Sequence, residues 1–177
     1  VQSMFEARVT ALQDAGQLES ACVVANRARR LFAGPWDARA RALALEWINS
    51  LWERGDHDGA LQAGREALAD WPQPAVSTRV AQLHRQRIKQ LEASGQLEAA
   101  TTIADDAARS LPEDKTWAAH TVRLHETWVS QLRRRGDHPL AMRETRKLLD
   151  RPAADPELRR RVGDSWLRTL RQLHHDF

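Results

Sequence analysis

His120 and His125, with Glu126 beside the second, are the groups that most invite a metal or catalytic reading. Five residues apart, they are poorly spaced for two ligands on one helix. The His125-Glu126 pair also lacks the second histidine of the zinc-protease helix motif. His57 and His138 recur in equivalent contexts 81 residues apart, which an internal duplication explains without chemistry. His174-His175 could take a metal only adventitiously. The single cysteine, Cys22, excludes an internal disulfide framework and a cysteine metal cluster, and beside Val23 and Val24 it reads as an inert packed thiol. No glycine-rich phosphate loop, Ser–His–Asp arrangement or paired-carboxylate signature is present. The expectation is a protein without cofactor, metal or catalytic activity.

The remaining candidate chemistry is anion recognition. Arginine outnumbers lysine 24 to 3. The planar guanidinium fork suits carboxylate and phosphate in a way that an ammonium cannot reproduce. Net charge is +3, but residues 1–73 carry 8 basic and 10 acidic side chains against 19 and 14 in residues 74–177. The C-terminal part therefore suits an acidic partner surface. The run Arg133-Arg134-Arg135 falls at a helix end, where cations complement the helix dipole. Arg159-Arg160-Arg161 lies early in its helix, where the dipole does not account for it, and could touch phosphates.

The elements that must position these side chains follow from a four-beat repeat. Gly16, Gly55, Gly95 and Gly136 recur at intervals of 39, 40 and 41 residues. Each follows a leucine by four (Leu12, Leu51, Leu91, Leu132) and precedes an alanine by five (Ala21, Ala60, Ala100, Ala141). Alternate repeats match most closely. Gly16-Gln17-Leu18-Glu19 returns as Gly95-Gln96-Leu97-Glu98, Arg54-Gly55-Asp56-His57 as Arg135-Gly136-Asp137-His138, and Trp36 as Trp117. A two-repeat block has been duplicated. The two Arg-Gly-Asp triplets are thus repeat punctuation at helix ends and not adhesion signals.

Apolar spacing is helical throughout, as in Leu43, Ala44, Trp47, Ile48 and Leu51. Glycine stops the first helix of each pair, and proline closes the pair at Pro72 and Pro112. Helices are expected at 2–15, 17–32, 36–54, 58–70, 75–94, 97–111, 114–135, 139–149 and 156–175. They make repeats 1–34, 35–73, 74–113 and 114–154 and a capping helix over 155–177, as one domain. Hydrophobic residues at 42% and charged ones at 29% fit an ordered, soluble chain. No run of about 18 apolar residues offers a membrane span. No signal peptide is visible, so the expected compartment is the cytoplasm, unless a targeting segment precedes Val1 in a longer bacterial protein.

These residues resemble the tetratricopeptide repeat. Repeat two supplies Leu51, Gly55, Ala60, Ala67 and Pro72, and repeat three supplies Leu91, Gly95, Ala100, Ala107 and Pro112. Two departures stand out. The period is long, because each first helix starts early. The family's small first-helix residue is also replaced by Val9, Ile48, Ile88 and Val129, which should push neighbouring helices apart. The resemblance implies an all-α, right-handed superhelix of antiparallel helix pairs whose first helices line a concave groove. That groove would present Asn49, Trp52 and Glu53, then Gln82, Arg85, Lys89 and Glu92. Arg123, Glu126, Ser130 and Arg133 follow, and Arg161, Arg168 and Arg171 close the row. Asn49, Lys89 and Arg123 occupy places comparable to a carboxylate clamp, but Leu45 stands where that clamp wants a cation. Trp47, Trp128 and Trp166 share the register of packed residues, which leaves Trp52 as the aromatic anchor.

The expected function is a non-enzymatic scaffold that holds a protein or peptide, an acidic one suiting the groove. One alternative is the sensory or regulatory portion of a bacterial transcription or signalling protein with a small ligand. The other is nucleic-acid binding through the arginine runs.

Overall fold

A computed structural model describes residues 1–32 and 34–149, together with residues 160, 163, 164, 167, 170 and 171. Eight α-helices are seen, and no strand occurs among the described residues. They are α1 (Gln2–Asp14), α2 (Leu18–Leu31), α3 (Trp36–Glu53), α4 (His57–Asp70), α5 (Pro74–Ala93), α6 (Leu97–Ser110), α7 (Thr116–Arg134) and α8 (His138–Leu149). Each lies within two residues of its expected range. The expected capping helix and its Trp166 fall largely outside the described residues. Arg160, Gly163, Asp164, Leu167, Leu170 and Arg171 are helical there.

The glycine beat has a backbone cause. Gly16, Gly55, Gly95 and Gly136 all adopt positive φ, between 69° and 81°. That region costs a residue with a Cβ about 1–2 kcal/mol. The turn lets the N–H after each glycine reach back to the carbonyl of the leucine four residues before it. Gln17, Asp56, Gln96 and Asp137 thus donate to Leu12, Leu51, Leu91 and Leu132 at 2.8–3.0 Å. The leucine–glycine spacing is therefore a helix-terminating bond pattern written in sequence. In the Arg-Gly-Asp turns the aspartate adds a second role. Asp56 Oδ1 accepts from Gly59 N at 3.0 Å and Asp137 Oδ1 from Leu140 N at 3.2 Å, so each opens the helix that follows.

The alanine beat has a packing cause. Ala21, Ala60, Ala100 and Ala141 are each fully buried. A methyl group at that point lets the second helix of a pair lie close against its neighbours. Gly64 extends the same logic: a Cβ there would meet Val80 Cγ2 at 3.0 Å, so α4 approaches α5 closely. Val9, Ile48, Ile88 and Val129, the large residues of the first helices, are all buried as well.

The chain divides into two compact units, Val1–His84 and Arg85–Phe177, with the division inside α5. In the first, α1 packs on α2, α2 on α3 and α3 on α4. Contacts also join alternate helices: Phe5 of α1 meets Trp36 of α3, and Arg29 of α2 pairs with Asp70 of α4 at 3.1 Å. In the second unit α6 packs on α7 and α7 on α8. Its apolar centre joins Leu97 of α6, Trp128, Val129 and Leu132 of α7, and Ala141 of α8. No helix among the described residues is long and apolar enough to cross a membrane.

Candidate anion-binding face

Two helices and one turn build the face, all in the second unit. Asp114, in the turn before α7, accepts through Oδ1 from the backbone N–H and the hydroxyl of Thr116, at 3.1 and 2.6 Å. Its other oxygen accepts from Arg85 Nη2 of α5 at 2.9 Å. The Thr116 hydroxyl bond, reinforced by that residue's N–H and the Arg85 guanidinium, holds the Asp114 carboxyl below the ordinary 3.8 against the opposing effect of desolvation. Thus anchored, the Arg85 guanidinium lies over the ring of Trp117, 5.1 Å from its centroid. Such stacking suits arginine because its delocalised charge is weakly hydrated.

One turn along α7, His120 presents its ring edge-on to Trp117 at 5.8 Å. Its Nδ1 lies 3.3 Å from Arg123 Nη2. Burial first, then the charges of Arg123 and Arg85, hold His120 below its usual 6.5, with Glu92 opposing. Because a guanidinium can only donate, Nδ1 is the acceptor of this contact. Arg123 also approaches Glu92 Oε1 of α5 at 3.9 Å. Arg85, Trp117, His120 and Arg123, with Thr116 and Ala119, line an open hollow of about 340 Å³. The Arg85 and Arg123 side chains remain 53% and 64% exposed, so each keeps N–H donors facing solvent. Two guanidinium forks beside an aromatic wall can hold a carboxylate or phosphate and pack the apolar part of its side chain.

The expected groove residues distribute over both units. Asn49 and Trp52 belong to the first. Asn49 Oδ1 accepts from Arg79 Nε at 2.7 Å, and Trp52 is half-buried with its ring 4.3 Å from that of His57. Both side chains thus already have intramolecular partners. Arg85, Lys89, Arg123 and Arg133 belong to the second unit. Arg85 and Arg123 share the hollow. Lys89 is exposed one turn along α5 from Arg85, while Arg133 is half-buried in the last turn of α7. Arg168 lies outside the described residues. Trp128 is buried as its register requires, whereas its counterpart Trp47 is only half-buried.

Sequence reasoning did not place Trp117, His120 or Asp114 in this site. The spacing Trp117, His120, Arg123 carries a signal, since residues three apart are neighbours on a helix surface. The Arg85 contact, some thirty residues away in the chain, carries none.

The other reactive side chains are occupied by packing. Cys22 is buried, and desolvation, with the Glu46 and Glu19 carboxylates adding, pushes its thiol up to about 12, far from a reactive thiolate. His84 is buried with Nδ1 2.9 Å from the Val80 carbonyl, and buried His125 faces Asp105 at 3.5 Å. No cluster of three or more metal-ligating side chains occurs among the described residues. Compared with known proteins, the chain matches no family model, no curated protein and no solved structure.

Proposed function

We propose that this chain is a tetratricopeptide-like scaffold, its helix pairs stacked as a right-handed superhelix, that binds an acidic peptide and catalyses nothing. The observation that carries the binding reading is the convergence of Arg85 and Arg123 on one hollow walled by Trp117. Supporting the architecture are the repeated glycine turns, the buried alanines and the packing of helices on their sequence neighbours. Lys89, exposed beside Arg85, extends the cationic face toward solvent.

Charge reversal tests the reading. A hydrogen bond to a charged group contributes about 1.5–3 kcal/mol. Arg85→Glu with Lys89→Glu should therefore weaken a fluorescein-labelled acidic heptapeptide by about tenfold or more. The helical circular dichroism should stay unchanged, because both side chains are exposed. Equal affinity of the variant and the parent protein would remove the acidic-peptide reading.

A further inference from the structure

The hollow beside Trp117 is one end of a longer furrow. Arg123 is shared with a second hollow of about 480 Å³, which runs past Glu126 and Ser130 to Leu97 and Gln131. Leu97 and Gln131 are shared in turn with a third, of about 730 Å³, whose apolar lining is Trp128, Leu132 and Leu140 with Leu97. All three draw on α7, so that helix forms one wall from Thr116 to Leu132. The two ends differ in chemistry. At the first, Arg85 and Arg123 bring cationic forks. At the last, the hollow opens on the apolar cluster of Leu97, Trp128 and Leu132, with Leu140 only partly buried against it. The rim there carries Glu98, Arg135 and Asp137, which leaves no cationic excess.

We propose that the furrow along α7 takes an extended peptide at two points: an acidic side chain between Arg85 and Arg123, and an apolar one over Leu97, Trp128 and Leu140. This rests on the acidic-peptide reading and adds a register to it. From His120 to Trp128 or Leu132 is 8 to 12 residues of helix, or about 12–18 Å at a rise of about 1.5 Å per residue. An extended peptide covers about 3.3 Å per residue. The acid and the apolar residue are therefore about five positions apart. Charge complementarity selects the occupant of the first point, and the uncharged, leucine-lined floor selects that of the second.

Acetylated, amidated peptides with a Glu-Glu pair and one leucine separate the possibilities by fluorescence anisotropy. A spacer of about four Gly/Ser residues spans the furrow, whereas direct Glu-Leu adjacency reaches only one end. The spaced peptide should bind about tenfold more tightly than the adjacent one, and replacing its leucine by serine should abolish that advantage. Leu140→Glu should do the same from the protein side. If spaced and adjacent peptides bind alike and both weaken in Arg85→Glu, the two-point furrow is wrong while the acidic-peptide reading stands. If neither peptide binds, both fall. Displacement of the spaced peptide by a single-stranded oligonucleotide at equal concentration would equally overturn a leucine-reading furrow.

Discussion

Trp36 and Trp117 hold the same place in the two copies of the duplicated block, and each is 2% exposed. Their surroundings differ. In the first unit Trp36 meets the edge of Phe5, which in turn meets Phe32, so the indole is capped by hydrocarbon. In the second unit Trp117 is covered by the Arg85 guanidinium and the His120 ring, beside an open hollow. Superposing the turn glycines of the sequence, Gly16 on Gly95 and Gly55 on Gly136, pairs Glu6 with Arg85, Thr10 with Lys89 and Ala42 with Arg123. An acid, a hydroxyl and a methyl in one copy stand where three cations stand in the other. All six positions are exposed, whereas the buried leucine and alanine beats were kept and the Val9 and Ile48 positions stayed β-branched as Ile88 and Val129. The beats held, while exposed positions changed along with some packed ones, such as Ala44 to His125 and Ala63 to Glu144. The first unit carries 9 basic and 10 acidic side chains, and the second 18 and 14. The cationic face is thus a property of one copy and not of the repeat.

The sharpest way to break this comparison is to remove the two indoles. Truncating a buried tryptophan costs about 3–5 kcal/mol. Trp36→Ala and Trp117→Ala should each lose that much in urea unfolding followed by circular dichroism. A loss below about 1 kcal/mol at Trp117 alone would show that its ring serves the hollow and not the core.

The turns should behave identically in both copies, because their bond pattern is the same. Gly55→Ala and Gly136→Ala force a Cβ into the positive-φ region and should each cost about 1–2 kcal/mol. A Gly136 cost well below that of Gly55 would show the second turn relaxing where the first cannot.

The smallest effect is specific to the second unit. Because the folded protein holds His120 below 6.5, the unfolded chain binds protons that the folded one refuses. Stability from this group is complete above about pH 6.5 and is lost as pH falls through the lowered folded value. Thermal melts between about pH 7.5 and pH 5 should therefore slope less in His120→Gln than in the parent. The twin position is Arg39, which donates to Gln13 at 3.0 Å and is not a histidine, so Arg39→Gln should leave the slope unchanged. Equal slopes for His120→Gln and the parent would detach His120 from the cationic cluster.

Much of this architecture was legible because it is local. A glycine with positive φ, a leucine carbonyl four residues back and an aspartate cap are relations within six residues, and sequence records such relations directly. Register from the turn glycine also names Arg85 and Arg123 on one face, and in the structure the two line one hollow. Trp52 shows where register stops. It has the right phase for an exposed anchor, yet its ring packs on His57 across the turn.

By itself the amino-acid order determined that the chain is helical, where its helices end, which alanines and β-branched residues turn inward, and that basic charge gathers late. Backbone torsion and short-range hydrogen bonding act between near neighbours, so the order of residues is enough to state them. Only the tertiary structure decided that Asp114 would hold Arg85 over Trp117, that Glu92 of α5 would approach Arg123, and that three hollows would share lining residues along α7. Those contacts bring together side chains from separate helices, a relation that register along a single helix does not state.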